Sequence, residues 1–340
     1  MTPRLHIEFP LKRQIIFCCG EAYTPRAGEY LLNHARTGIL MALRAALPAG
    51  GRVGVVAYNC HTVANAVQQA GCTPVFVDVA EDLRLDLHHL SSLKLDTLVL
   101  TNLFGIHNDI VAVRQVLGDA PIIVDNAHGY GLPTEGDFCV YSINQGKFPS
   151  LGEGGLLMVN NPQYQAAIDA QYAALKGYST KQEILLYIKM LSKAILYKPL
   201  LYSMVMRAKG QRSMAADQSP ITLRRMAKGV SRMYQQYISS ATEEITTQVH
   251  NATCLQQSLL THPDVQEIWW GQNAFMAIAR CHDMANLQRY LAAHGVETAT
   301  HFARAIHWDK EFGYISGTCP VAEKLTNQLL MIPTYKNIKL

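Results

Sequence analysis

Lys147 lies in the middle of the run DFCVYSINQGKFPSLGEGGLLMVN, from Asp137 to Asn160. Phe138 to Ile143 is apolar and aromatic and reads as a buried strand. Gly152-Glu153-Gly154-Gly155 reads as a tight turn, and Leu156 to Val159 as a second strand. An amine on a loop between two buried strands can lose its water shell; its pKa then falls, and the neutral form can attack a carbonyl. Asp125 closes the run Pro-Ile-Ile-Val-Asp and is followed by Asn126-Ala127-His128-Gly129. A carboxylate at the end of a buried strand is costly unless a cation or hydrogen-bond donors meet it. A nucleophilic amine and a buried carboxylate one strand apart make a pair able to hold and polarise a cationic ring. The ordinary alternatives are a solvated loop lysine and an aspartate that caps a helix.

The elements that must bring these residues together recur along the chain. Apolar, β-prone runs occupy Val53 to Tyr58, Thr73 to Val79, Thr97 to Phe104, Pro121 to Asn126, Phe138 to Ile143 and Leu156 to Val159. Thr62 to Ala70 and Ile110 to Leu117 are the clearest helical patterns between them. Gly28 to Leu47 suits an amphipathic helix whose first turn lies near His34 to Gly38, ended by Pro48-Ala49-Gly50-Gly51. This alternation predicts an α/β fold with a mainly parallel sheet covered on both faces. Ligands of such sheets collect at the carboxyl ends of the strands. Tyr58 to His61, Phe104 to His107, Asp125 to His128 and Ser142 to Lys147 are therefore expected to be neighbours.

Glu183 to Met206 is strongly apolar, but Lys189, Lys193, Lys198 and Pro199 argue against a membrane span. Two amphipathic helices meeting near Pro199 are predicted, their apolar faces on a subunit partner or over the site; contact with a membrane surface is the less favoured alternative. Lys209 to Gln218 is polar, and Thr222 to Gln257 forms a long helical pattern. Strands at Glu267 to Trp270, Ala274 to Ala279 and Thr298 to Phe302, with helices at Met284 to His294 and Pro320 to Leu330, make a small α+β unit. The predicted organisation is an N-terminal segment, 1–27, a large domain, 28–208, containing the apolar insert 183–206, and a segment 209–340 with the long helix and the small domain.

With 340 residues, 49% hydrophobic and 16% charged, the chain can bury a large core and is not of disordered type. Its 30 lysines and arginines are dispersed and its net charge is only +4, so no nucleic-acid stripe is present. Eight cysteines show no CxxC and no spacing with histidine suited to zinc, which predicts reduced thiols and no metal site. The first residues lack an uninterrupted apolar core, so the expected location is the cytoplasm.

A lysine, a buried aspartate and a helix N-terminus are together what pyridoxal 5'-phosphate requires. The lysine carries the cofactor as a Schiff base, the aspartate keeps the pyridine nitrogen protonated, and the helix amides receive the phosphate. The segments AYNCHTVANAVQQAGCTPVFVDV, IIVDNAHGYG and YSINQGKFPSLGEGGLLMVNN resemble the DegT-type (DegT/StrS) sugar aminotransferases, fold type I enzymes dependent on this cofactor. GVETATHF and CPVAEKLTNQLLMIP resemble the closing elements of that family, so the likeness runs from about Gly28 almost to the end, weakly in the middle. The resemblance implies that Ser142, five positions before Lys147, contacts the cofactor phosphate, and that His128, three after Asp125, lies beside the ring and its phenolic oxygen. It places Arg36-Thr37-Gly38 at the phosphate-binding turn. It also implies glutamate or glutamine as amino donor, a nucleotide-linked keto sugar as acceptor, and a homodimer with shared active sites.

The chain departs from the family where an aromatic residue stacks on the ring. Cys60 occupies that place, so either His61 or Tyr58 covers the ring or the stacking is absent. The partner-subunit asparagine that reaches the phosphate falls near 210–225, where no asparagine occurs; Ser219, Thr222 or Arg224 could replace it. His61 and His301 are candidate substrate contacts or packing residues. Two rival functions remain. A sugar dehydratase of the same fold would have histidine in place of Lys147, and a non-catalytic scaffold or regulator would have lost Lys147 or Asp125.

Overall fold

The computed structural model describes residues 9–198, 201–202, 218–300, 310–338 and 340. Its central layer is a seven-stranded sheet built from β1 (Glu29–Leu32), β2 (Arg52–Val56), β3 (Thr73–Val77), β4 (Thr97–Thr101), β5 (Ile122–Asn126), β6 (Phe138–Ser142) and β7 (Gly155–Val159). The spatial order is β1-β7-β6-β5-β4-β2-β3. The strands from β3 to β6 pair in parallel, and β7 and β1 add an antiparallel edge. Every residue of β4, β5 and β6 is buried. Strands covered on both faces must be apolar throughout rather than alternating, which is why these runs stand out in the sequence.

Helices α2 (Ala35–Ala46), α3 (His61–Gln69), α4 (Leu87–Ser91) and α5 (Ile110–Leu117) connect or flank these strands, and α6 (Gln165–Ala174) follows β7. Asp86 and Asp109 cap α4 and α5 by accepting backbone N–H groups of the first turn. The helix expected within Gly28 to Leu47, with its first turn near His34 to Gly38, begins at Ala35, and Glu29 to Leu32 before it is instead the edge strand β1, registered against Gly155 to Met158. Its glutamate is buried, accepting from the Tyr23 hydroxyl at 2.8 Å and the Arg26 N–H at 3.0 Å. Four residues with an inward carboxylate carry no strand periodicity.

The apolar insert begins as one helix, α7 (Thr180–Leu196), opened by a capping box between Ser179 and Gln182. Met190 packs against Gly152 and Lys193 hydrogen-bonds Gln145, so α7 covers the loop that carries Lys147 from outside. Ile184, Leu185, Ile188, Ile195 and Leu196 remain exposed. Pro199, the predicted junction of two helices, lies outside the described residues. Among the described residues no helix is long and apolar enough to cross a membrane.

The long helical pattern from Thr222 divides into α8 (Lys228–Tyr237) and α9 (Ala241–Leu259). Residues before Lys228 are extended, with Arg224 bridging Lys176 and Arg225 bridging Leu32. The Glu183 carboxylate accepts the N–H groups of Lys228 and Gly229 at 2.6 and 3.2 Å and so fixes where α8 starts. A three-stranded antiparallel sheet follows, ordered β10-β9-β8, from β8 (Val265–Trp269), β9 (Met276–Cys281) and β10 (Leu329–Pro333). Leu255 and Leu259 of α9, with Leu287 and Leu291 of α10 (Met284–Ala293), close its core. The predicted helix Pro320 to Leu330 ends as α11 (Pro320–Leu325), and Leu329 to Pro333 pairs with β9. A short apolar run does not distinguish a buried strand from a helix, and the strand partner decides. Of the predicted strand Thr298 to Phe302, Ala299 bridges Met331, and its last two residues lie outside the described residues.

One element carries no sequence signal. Helix α1 (Leu11–Cys19) lies against α8, with the Phe17 ring filling the space where Gly229 has no side chain. Arg232 donates to the carbonyls of Phe17 and Cys18 at 2.9 and 2.8 Å, satisfying the end of α1.

Candidate active site

The carboxyl ends of β5 and β6 and the loop from Ile143 to Gly154 build the site. The loop is closed on itself: Ile143 N–H donates to Gly154 O, Gln145 N–H to Gly152 O and Leu151 N–H to Ile143 O, each at 3.0–3.1 Å. Asn144 Oδ1 accepts the Gly154 N–H at 2.8 Å. Phe148 is buried against Tyr130 and Tyr237. With its neighbours fixed on both sides, Lys147 points inward.

Burial pushes the Lys147 pKa below the ordinary lysine value, against the opposing charges of Cys60 and Asp125. Its Nζ lies 2.6 Å from His128 Nε2. The Phe104 N–H donates to His128 Nδ1 at 3.3 Å, so the neutral ring carries its proton on Nε2. That proton needs an acceptor, and only the neutral amine has a lone pair. The hydrogen bonding and the desolvation thus favour the same state, a neutral lysine.

Asp125 is 3% exposed, and burial raises its pKa, offset by the Ala127 N–H at 2.9 Å, the charge of Lys147 and the Thr101 hydroxyl. A carboxylate held this way is short of positive charge, and a cationic ring beside it would be stabilised.

The His128 ring is sandwiched between Phe104 and Phe275, with centroids 5.2 and 5.1 Å away. Sequence reasoning did not find Phe275, because it arrives from the turn before β9, far from the sheet ends in sequence. Asn273 in that turn donates to His128 O at 2.8 Å and Tyr130 O at 3.1 Å and accepts the Phe275 N–H at 3.1 Å. The Gln272 N–H donates to Gly105 O at 2.9 Å, and a Cβ on Gly271 would lie 2.1 Å from the Gly105 carbonyl carbon. The two backbones touch, and only glycine fits. Asn273→Ala is expected to destabilise the protein by about 2–3 kcal/mol, because three buried backbone groups lose a partner. Chemical denaturation measures this; a loss under about 0.5 kcal/mol would show that the turn relaxes onto other partners.

Arg36 and Thr37 lie in the first turn of α2, whose N-cap His34 makes no side-chain cap. The Thr37 hydroxyl is committed to Asn33 Oδ1 at 2.8 Å, so the turn offers backbone N–H groups and the half-buried Arg36 rather than that hydroxyl. The His34 pKa is lowered by burial and then by Arg36. Gly155 lets the helix end sit on the sheet, since a Cβ there would lie 2.3 Å from Ala35 N. Ser142, buried at the end of β6, is registered opposite Gly155 and so adjoins this helix end. An uncapped helix N-terminus with an arginine is suited to an anion. Cys60 precedes α3 without a side-chain capping bond and His61 is its first residue, both half-buried. Of the predicted set, Lys147 and His128 are hydrogen-bonded, and Asp125 and Cys60 are near enough to act electrostatically on Lys147. His301 lies outside the described residues, as does most of the stretch expected to supply the partner contact.

Pyridoxal phosphate fits this donor set: a neutral amine, a buried carboxylate awaiting a cation, and an anion-binding helix end on one edge of the sheet. A narrow cleft enclosing about 30 Å³ leads to Lys147. Phe148, Phe275 and Met276 form its apolar side, and Arg13, Glu244 and Gln248 are among its polar residues.

The sequence matches the model of the DegT/DnrJ/EryC1/StrS aminotransferase family over residues 31–340. Among proteins of curated function none matches. Three solved structures illustrate the structural likeness. The sugar aminotransferase CalS13 from Micromonospora echinospora is 16% identical with a TM-score of 0.72, covering 98% of this chain and 95% of that chain. The putative sugar aminotransferase Spr1654 from Streptococcus pneumoniae, in its PMP form, is 14% identical with a TM-score of 0.74, covering 98% and 94%. DesI in the presence of its TDP-sugar product is 18% identical with a TM-score of 0.69, covering 90% and 75%. At these identities the likeness is one of fold.

Proposed function

The chain belongs to the DegT/DnrJ/EryC1/StrS aminotransferase family, and on that premise we propose that it uses pyridoxal 5'-phosphate to move an amino group from glutamate or glutamine to a nucleotide-linked keto sugar. It is an aminotransferase, and its large, mostly parallel sheet with covering helices is the fold type I arrangement. The observation that carries the proposal is the buried Lys147 amine, its pKa lowered by desolvation, hydrogen-bonded to His128 and near the buried Asp125.

In this reading Lys147 would hold the cofactor, Asp125 would keep its pyridine nitrogen protonated, and His128, hydrogen-bonded to Lys147, would adjoin it. Ser142 and the first turn of α2, with Arg36, would take the phosphate, the Thr37 hydroxyl and N–H being committed to Asn33 and His34, and Cys60 and His61 would border the ring. The cofactor, when bound, supplies an electron sink for the carbanion that follows loss of a proton. Lys147 Nζ, desolvated and hydrogen-bonded to His128, would serve as the base that takes the proton from the donor's α-carbon and hands it back. The rings of Phe104 and Phe275 cover both faces of His128, and the Phe104 N–H holds its tautomer. The keto-sugar acceptor is favoured by the sugar aminotransferases and the TDP-sugar complex among the structural relatives. The product would feed cell-surface polysaccharide or natural-product synthesis in the cytoplasm. Members of the family are typically dimers, and a homodimer sharing its sites completes the proposal.

The test is an absorbance spectrum of the purified, cofactor-loaded protein before and after excess L-glutamate. The band of the lysine-bound cofactor is expected to give way to one at shorter wavelength. No band after cofactor addition would refute the reading, and a band that glutamate leaves unchanged would refute the donor.

A further inference from the structure

A hydrogen-bonded chain reaches Asp125 across three neighbouring strand ends. Strands β2, β4 and β5 lie side by side in the sheet. Asn59 follows β2, Thr101 is the last residue of β4, and Thr101 is registered opposite Asp125 of β5. The three are 3%, 4% and 3% exposed, so water competes little for their polar atoms. Asn59 Nδ2 donates to Thr101 Oγ1 at 2.8 Å, and the Thr101 hydroxyl donates to Asp125 Oδ2 at 3.4 Å. The direction of the chain is set at its far end. Asn59 Oδ1 accepts the Cys60 N–H at 2.7 Å, so the amide cannot turn over and presents its own N–H to Thr101. A hydroxyl has one proton; with Asn59 donating to its oxygen, that proton is directed at the carboxylate.

The Ala127 N–H already serves Asp125 Oδ1, so Thr101 serves the other oxygen. A buried carboxylate short of donors takes up a proton, and Asp125 would then lose the charge that a cationic ring needs. We infer that Asn59 and Thr101 are positioning residues that keep Asp125 ionised, Asn59 acting through the Thr101 hydroxyl. The inference rests on the aminotransferase reading for its catalytic consequence, whereas its effect on Asp125 is a property of the protein without cofactor. The last link is long, so breaking it is expected to cost no more than the lower end of the range for a bond to a charged group. Two other titratable groups act on Asp125: Lys147, from the loop after β6, and Cys139, on β6. Burial pushes the Cys139 thiol up to about 12, so it stays neutral, and Lys147 is common to all the variants below. The Asn59 amide also holds the Cys60 N–H, so one side chain ties the turn before α3 to the carboxylate.

The experiment follows the infrared carboxyl stretch of Asp125 against pH in the cofactor-free protein, identified as the band that Asp125→Asn removes. It compares wild type with Thr101→Val, Thr101→Ser, Asn59→Ala and the double variant of Thr101→Val with Asn59→Ala; near-ultraviolet circular dichroism shows that each is folded. Thr101→Val is expected to raise the protonation midpoint by about one pH unit and to weaken binding of pyridoxal 5'-phosphate by up to about tenfold. Thr101→Ser keeps the hydroxyl and should stay within about 0.3 pH unit of wild type. Asn59→Ala should raise the midpoint by about half a pH unit alone and add nothing once Thr101 is valine. A midpoint within about 0.3 pH unit of wild type in Thr101→Val overturns the inference, and an Asn59→Ala shift of equal size in both backgrounds overturns the relay through Thr101. Should Thr101→Val not fold, Asn59→Ala alone decides, and a midpoint equal to that of wild type overturns the inference. A wild type that binds no pyridoxal 5'-phosphate overturns the aminotransferase reading, while the titration still decides whether Asn59 and Thr101 hold the charge of Asp125.

Discussion

Lys147→Ala is expected to lower transamination by about 10³-fold or more and to remove the absorbance of the lysine-bound cofactor, while the protein stays folded. No other amine is placed with Lys147 at His128 and Asp125 among the described contacts of these residues. Retention of the wild-type rate would overturn the assignment. The same residue has a signature in the cofactor-free protein. Folding depresses the lysine pKa, so the folded state binds fewer protons than the unfolded chain, and stability rises with pH until the unfolded value near 10.4 is reached. Lys147→Met removes this dependence. Its advantage over wild type should be greatest at neutral pH and below and fade toward pH 10. Denaturation at pH 7 and pH 10 makes the comparison, and a gap independent of pH would mean that the amine is not desolvated.

Asp125→Asn should cost about 10²-fold or more in rate, because the amide keeps the shape of the carboxylate and its bond from Ala127 but cannot hold a ring nitrogen protonated. Without cofactor the sign of the stability change reverses. Burial raises the Asp125 pKa, so the carboxyl's contribution is fully present below its unfolded value near 3.9 and is lost as pH rises through the folded value. The cofactor-free asparagine variant should therefore be more stable than wild type at neutral pH, with the difference vanishing below about pH 4. A variant as active as wild type would remove Asp125 from the chemistry, whatever its stability.

The parallel strands were legible because burial on both faces leaves an uninterrupted apolar run, and Asp125, Ser142 and Lys147 were legible because the ends of such strands collect ligands. The rest had weaker signals. Strand β1 is four residues long with a buried glutamate, and β10 reads equally well as the tail of α11. Helix α1 begins at Pro10 without a side-chain cap, and what places it is the contact between Phe17 and Gly229. Phe104 was read as the end of a strand, with Phe104 to His107 at the site, but its left-handed conformation (φ 52°) was not; it turns the chain there so that the Phe104 N–H meets His128. Phe275, Asn273, Arg13 and Gln248 reach the site from the small sheet, α1 and α9, so no local pattern in the sequence could have joined them to Lys147.

The turn from Gly271 to Phe275 makes the two sheets a mechanical linkage rather than a frame with a separate flap. Gly271 bears directly on Gly105, Asn273 grips the carbonyls of His128 and Tyr130, and Phe275 lies on the imidazole. A displacement of the small sheet large enough to widen the cleft would drag the histidine that is hydrogen-bonded to the lysine. Any movement there that admitted a substrate would therefore also change the surroundings of the amine.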